Sequence, residues 1–143
     1  MTALAPTLVA DDVEVGTVLP ELAVALTPTF VVATAIATRD YQDVHHDRDA
    51  AQQRGAPDIF MNILTTTGLV QRYVTDWAGP EALVRGVAVR LGVPNFPGDT
   101  MTLTGQVTDR AGDVLTVEVR GANRIGDHVT GTVRVELPGS GAL

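Results

Sequence analysis

The segment Asp58-Ile59-Phe60-Met61-Asn62-Ile63-Leu64-Thr65-Thr66-Thr67-Gly68-Leu69-Val70-Gln71-Arg72-Tyr73-Val74-Thr75-Asp76-Trp77-Ala78-Gly79-Pro80 decides the fold. Within it Ile59, Ile63, Thr66, Val70, Tyr73 and Trp77 recur at alternating offsets of four and three, the stripe of a helix that buries one face. Asp58 opens the periodic run and Gly79-Pro80 stops it, because proline has no N–H for the next turn. Thr65, Thr66, Thr67 and Gly68 make the middle of the helix slim, which would let a sheet wrap closely around it. Everything downstream alternates at period two. Strands are expected at 82–91, 101–108, 114–120 and 128–137, with turns at 94–98, 110–113 and 123–127. One long helix followed by an antiparallel meander predicts an α+β domain whose sheet curls around a central helix.

Upstream, the first dozen residues read as a loose arm, and 13–27 as short extended pieces interrupted by Gly16 and Pro20. Thr27-Pro28 has the form of an N-cap followed by proline at the first helical position. In the run Phe30-Val31-Val32-Ala33-Thr34-Ala35-Ile36-Ala37 the β-branched content argues for a strand and the cap for a short helix; the helix is the expectation. A second short helix, capped by Asp47, covers 47–53 and ends near Gly55. The organisation is then an arm at 1–12, one domain at 13–137 and a flexible tail at 138–143.

The chain has 143 residues, 45% of them apolar, which suits one packed domain. No run is long enough to span a bilayer. The N-terminus lacks a cationic leader followed by an apolar stretch, so no secretory signal is expected. The absence of cysteine excludes disulfides and thiolate chemistry and fits a cytoplasmic protein. The net charge is −7, all ten basic residues are Arg, no basic run exists and only 4% of residues are aromatic. A nucleic-acid surface is therefore not expected.

The chemistry gathers in Arg39-Asp40-Tyr41-Gln42-Asp43-Val44-His45-His46-Asp47. Asp40 and His45 lie five residues apart. In a strand that odd offset sends the two side chains to opposite faces, and in a helix they stand roughly 140° apart. They converge on one small molecule only if the chain bends sharply between them. A carboxylate and an imidazole flanking one water can activate it, since the two groups share acid and base roles near neutral pH. That is the chemistry of adding water to an activated double bond, or of removing it. His46, Asp43, Asp47 and Asp49 lack the i, i+4 histidine pair of helical zinc sites and read as solvated turn residues. No metal or cofactor is expected. His128 follows a Gly126-Asp127 turn and reads as structural, while Arg85 and Arg90 are at most weak candidates for anion contacts.

These residues resemble the MaoC-like enoyl-CoA hydratases, which have the hot-dog fold and a stretch of the form Ser-Gly-Asp-x-Asn-Pro-x-His-x-Asp. Residues 38–47 are similar to it, with Asp40, His45 and Asp47 in register; residues 57–77 correspond to the family's central helix, and Phe96-Pro97-Gly98-Asp99-Thr100 to its strand turn. Residues 43–49, 58–64 and 67–80 resemble more narrowly the small subunits of heteromeric steroid acyl-CoA hydratases of actinobacterial cholesterol side-chain breakdown. The resemblance implies water addition across the C17=C20 bond of a steroid C22 acyl-CoA, 3-oxo-4,17-pregnadiene-20-carboxyl-CoA. It implies a larger partner subunit with its own MaoC-like domain in a heterodimer or heterotetramer, and a thiolase-like aldolase that cleaves the tertiary alcohol. It gives Asp40 and His45 the catalytic role and the backbone N–H of Met61 the thioester oxygen, with Asn62 as a further substrate contact. The chain departs from the pattern at Arg39 for Gly, Gln42 for Asn, Asp43 for Pro, and Phe60-Met61 for His-Gly. Alternatives of the same architecture are a straight-chain (3R)-hydroxyacyl thioester dehydratase, a hot-dog thioesterase, and a non-catalytic subunit that completes a partner's site.

Overall fold

The computed structural model describes residues 6–139. Strand β1 covers Val18–Leu26, helix α1 Pro28–Ala37, α2 Arg48–Gln53 and α3 Ile63–Ala78; β2 covers Leu83–Leu91, β3 Asp99–Ala111, β4 Val114–Asn123 and β5 Gly126–Glu136. The five strands form one sheet in the order β1-β3-β4-β5-β2, with every neighbouring pair antiparallel. The expected α+β hot-dog architecture is the one found. Alternation sets the faces of the sheet: Met101, Leu103, Val107, Leu115, Val117, Val119, Val133 and Val135 point inward and join Val70, Tyr73, Val74 and Ala78 of α3 in one core. A smaller cluster of Val31, Val44, Ala51 and Ile59 ties α1, the turn after it and α2 to the chain approaching α3. Among the described residues no helix is long and apolar enough to cross a membrane.

Local chemistry accounts for most boundaries. The Thr27 hydroxyl accepts the N–H of Phe30 at 3.0 Å and Pro28 stands first in α1, so the cap prevails over the β-branched run. Asp47 accepts the N–H of Ala50 at 3.1 Å and caps α2.

Elsewhere the structure corrects the sequence reading. Helix α3 starts at Ile63, capped by Asn62, whose side-chain oxygen accepts the Thr65 N–H at 3.0 Å. Asp58 does not open it; its carboxylate binds the N–H of Ile59 and the guanidinium of Arg48. Ile63 consequently faces outward, 49% exposed, and Ile59 serves the smaller cluster. Strand β1 is one nine-residue strand. Its register shifts between Leu19 and Leu22, a bulge on an edge strand where Pro20 withholds no ladder bond. Residues 6–12 are anchored rather than loose: Leu8 N–H bonds Ala78 O at 2.8 Å, Ala10 N–H bonds Pro138 O at 3.0 Å, and Ala10 is fully buried. Residues 1–5 and 140–143, the rest of the expected arm and tail, lie outside the described residues.

The close approach of sheet to helix depends on the sheet's glycine, not the helix's. A Cβ on Gly105 would lie 2.9 Å from Cε1 of the buried Tyr73, whereas one on Gly68 meets nothing within 4 Å. Gly68→Ala should therefore stabilise the chain by about 1 kcal/mol, since an exposed mid-helix glycine carries only its conformational cost. Gly105→Ala should destabilise it by about 1–3 kcal/mol through overpacking. Urea melts of the two variants check both signs.

Candidate active site

The bend required by the Asp40–His45 offset is built from two terminations. Helix α1 ends in a pair of reverse bonds, Arg39 N–H to Ile36 O and Asp40 N–H to Ala35 O, both at 3.0 Å, the motif that turns a chain away from a helix. It puts the residue after the cap in the left-handed region, and Arg39 has φ 57°. Glycine adopts that conformation freely; an arginine there costs on the order of 1 kcal/mol. Residues Asp43–His45 then make a single 3₁₀ turn, which brings His45 back over Asp40.

Within this bend His45 Nε2 lies 3.4 Å from Asp40 Oδ2. His45 Nδ1 is 2.7 Å from the carbonyl oxygen of Phe60, an acceptor only, so Nδ1 carries the proton and donates. The neutral ring then presents the lone pair of Nε2 to the carboxylate side. The Phe60 ring stands edge-on to the imidazole at 5.0 Å, and the Phe60 N–H bonds Val44 O at 3.3 Å. The turn is thus stitched to the chain entering α3. Asp40 accepts from the side-chain amide of Asn62 at 3.1 Å and from the N–H of Gln42 at 3.3 Å. The Asn62 hydrogen bond, with the Gln42 N–H and the nearby His45, outweighs burial and holds the Asp40 carboxyl below its usual range.

A cavity of about 340 Å³ opens on this pair, lined on its other sides by Phe60, Met61, Ile63, Leu91, Val93 and His128. A larger concavity of about 770 Å³ on the outer face of the sheet is lined by Arg90, Glu118, Arg120 and threonines. It holds no imidazole and no paired acid and base, so the smaller cavity is the candidate.

One sequence expectation changes here. The N–H of Met61 is not free: it donates to the carbonyl of Asn95 at 3.1 Å, because α3 begins two residues later and Met61 lies on the extended stretch before the cap. Asn62 lines the cavity as well, with its side chain engaged within the chain: its amide serves Thr38 Oγ1 at 2.9 Å and Asp40, and its oxygen serves Thr65. At the start of α3 the N–H groups of Asn62, Ile63 and Leu64 have no acceptor among the described residues, at the positive end of a 16-residue helix. Ile63 and Gln42 border the cavity unforeseen, and only the Asn62-x-x-Thr65 cap pattern could have signalled the first. Arg85 pairs with Glu136 at 2.6 Å and neither it nor Arg90 lines the cavity. Asp43 pairs with Arg54 at 2.8 Å, and His46 is exposed. Among the described residues no group of three or more His, Asp or Glu side chains is placed to hold a metal ion.

The profile of the MaoC like domain matches residues 13–129. The chain belongs to the MaoC-like family. It is 59% identical over 123 residues, 86% of this chain and 95% of the other, to the 3-oxo-4,17-pregnadiene-20-carboxyl-CoA hydratase beta subunit of Mycobacterium tuberculosis. Among solved structures it superposes on a chain of the ChsH1-ChsH2 complex from Mycobacterium tuberculosis with TM-score 0.86 and 59% identity, covering 87% of this chain and 98% of that one. It also superposes on the R-hydratase PhaJ1 from Pseudomonas aeruginosa, TM-score 0.84, covering 96% of this chain and 90% of that one. At 18% identity that likeness concerns the fold alone.

One further histidine of this MaoC-like chain borders the cavity. His128 is buried; Nδ1 donates to Val93 O at 2.7 Å and Nε2 accepts the Thr66 hydroxyl at 2.8 Å. Burial pushes its pKa below 6.5, against the hydrogen bond to Val93. A histidine harder to protonate when folded lets the unfolded chain bind the extra proton. Its contribution is complete above pH 6.5 and is lost as pH falls below that value. Between about pH 5 and 6.5, above the carboxylate range, urea melts should show native stability falling with pH more steeply than in His128→Gln.

Proposed function

We propose that this chain is the small subunit of a heteromeric enoyl-CoA hydratase adding water across the C17=C20 bond of a steroid C22 acyl-CoA. The observation that carries the proposal is the Asp40–His45 contact of 3.4 Å, opening on a cavity beside free N–H groups at a helix start. The 59% identity to the beta subunit of such a hydratase supports the substrate class. The chain associated with it is a larger subunit with its own MaoC-like domain, in a heterodimer or heterotetramer. A thiolase-like aldolase would consume the tertiary alcohol. The reaction asks for no cofactor beyond the CoA thioester itself, and a cytoplasmic location fits that substrate.

In this mechanism one water donates its hydrogens to Asp40 and to His45 Nε2. His45 takes one proton as the water oxygen bonds C17, the β-carbon. The C17=C20 electron pair moves toward the thioester, and the enolate oxygen accepts from the N–H of Ile63, with Met61 already engaged by Asn95. The imidazolium then returns its proton to C20, so one water is consumed and no other proton is needed. Asp40 stays ionised throughout, orienting the water and stabilising the transient imidazolium.

In the assembled complex, Asp40→Asn and His45→Ala should each lower hydration of the steroid enoyl-CoA by roughly 10²–10⁴-fold. The reading is the fall of enoyl absorbance without release of free thiol. Near-normal turnover in either variant removes that residue from the mechanism, and thiol release would make the protein a thioesterase.

A further inference from the structure

We infer that Asn62 is a positioning residue for hydration, fixing the Asp40 carboxylate in the orientation that faces His45. The inference rests on the reading of Asp40 and His45 as the water-activating pair, and it assigns Asn62 a role apart from substrate contact.

Capping α3 asks little of residue 62. Ser, Thr and Asp supply the acceptor that the Thr65 N–H needs as well as Asn does. Asn alone among these adds a two-hydrogen donor, and both hydrogens are used, one on Thr38 Oγ1 at 2.9 Å and one on Asp40 Oδ2 at 3.1 Å. The orientation of the amide is determined by its partners, since a donor N–H lies on one side and a carboxylate on the other. Thr38 in turn donates its hydroxyl to Thr34 O at 2.8 Å, leaving its lone pairs for Asn62. A chain of hydrogen bonds therefore runs from the last turn of α1 through Thr38 and Asn62 to Asp40.

Asp40 has little else to hold its side chain. Its backbone is placed by the end of α1, but its carboxylate has only the longer bond from Gln42 N–H at 3.3 Å and the contact with His45. Asn62 is 2% exposed, so its bond to Asp40 is shielded where exposed ones are not. The same bond is the largest cause of the lowered Asp40 pKa. Oδ2, which Asn62 holds, is also the oxygen nearest Nε2.

The test uses the assembled hydratase complex with Asn62→Asp, Asn62→Ser and, as reference, Asp40→Asn. Asn62→Asp keeps the cap and the volume but replaces the donor with a second negative charge beside Asp40. It should lower kcat about tenfold or more with little change in KM, since one charge-assisted bond corresponds to that factor. The acidic limb of the kcat/KM profile should move to higher pH. Asn62→Ser, which caps without the charge, should lose kcat with a smaller shift of the limb and a melting temperature near wild type; it supplies the reading if Asn62→Asp fails to assemble. An inactive Asp40→Asn beside variants at residue 62 with wild-type kcat and limb would overturn the inference and leave the function standing. Loss of kcat with an unmoved limb and a lowered melting temperature would reduce Asn62 to a cap and overturn it too. An active Asp40→Asn would remove the acid–base reading itself, and this inference with it.

Discussion

Two helix ends share one carboxylate, and the geometry of the site depends on that junction. A helix leaves unpaired carbonyls at its C-terminus and unpaired N–H groups at its N-terminus, and each end must find partners. Helix α1 closes with the reverse bonds that carry Asp40 on its second residue past the cap, at the expense of a left-handed Arg39. Helix α3 closes with Asn62, which reaches across to that same Asp40. The smaller apolar cluster of Val31, Val44, Ala51 and Ile59 clamps the segments between these ends. Backbone termination thus places the acid, and packing keeps the turn that carries His45 against it. An Arg39→Gly chain would relieve the strain but would also free the unfolded state, so the two effects partly offset.

The electrostatics of the site follow from the same junction. The start of α3 presents partial positive charge, and the ionised Asp40 lies beside it. In the proposed reaction a second negative charge develops on the thioester oxygen at that end of the helix. Two anions near one helix terminus would compete. In that proposal the imidazolium formed when His45 takes a proton from water would place positive charge beside Asp40 as the enolate forms, offsetting the competition. Holding Asp40 ionised then serves that step, since a protonated carboxyl would neither hold the water nor stabilise the imidazolium.

Much of this was legible in the sequence, and what was not has specific causes. The Asp40–His45 bend followed from an offset that no regular element can satisfy. Thr27-Pro28 and Asp47 announced α1 and α2 through caps that act within a few residues. The start of α3 misled because two good capping residues, Asp58 and Asn62, precede it, and Ile59 lies in phase with the helix although it packs elsewhere. Met61 misled for a different reason. Whether its N–H is free is decided by Asn95 O on a distant loop, and nothing local in the sequence records that. Likewise the Thr66–His128 pair joins residues far apart in the chain. Gly68 looked like the thin point of the helix, but contact across the core is decided by what faces it, and that is Gly105.

The unfinished rim of the cavity bears on why a second subunit belongs to the proposal. About 340 Å³ is at the lower end of what small-ligand sites enclose, too little for a fused steroid ring system together with a thioester. Ile63 and Leu91 line it while remaining 49% and 39% exposed, and Leu64 beside them is 51% exposed. Apolar side chains grouped at the mouth of a polar reaction centre favour an apolar body laid against them. Strand β2, which ends in Leu91, is an edge of the sheet, with one row of N–H and C=O groups left for another strand. A subunit pairing with that edge would extend the sheet, cover the open side of the cavity and lengthen it into a groove. The chemistry would then remain on this chain at Asp40 and His45, while the volume that selects the substrate would be shared between two chains.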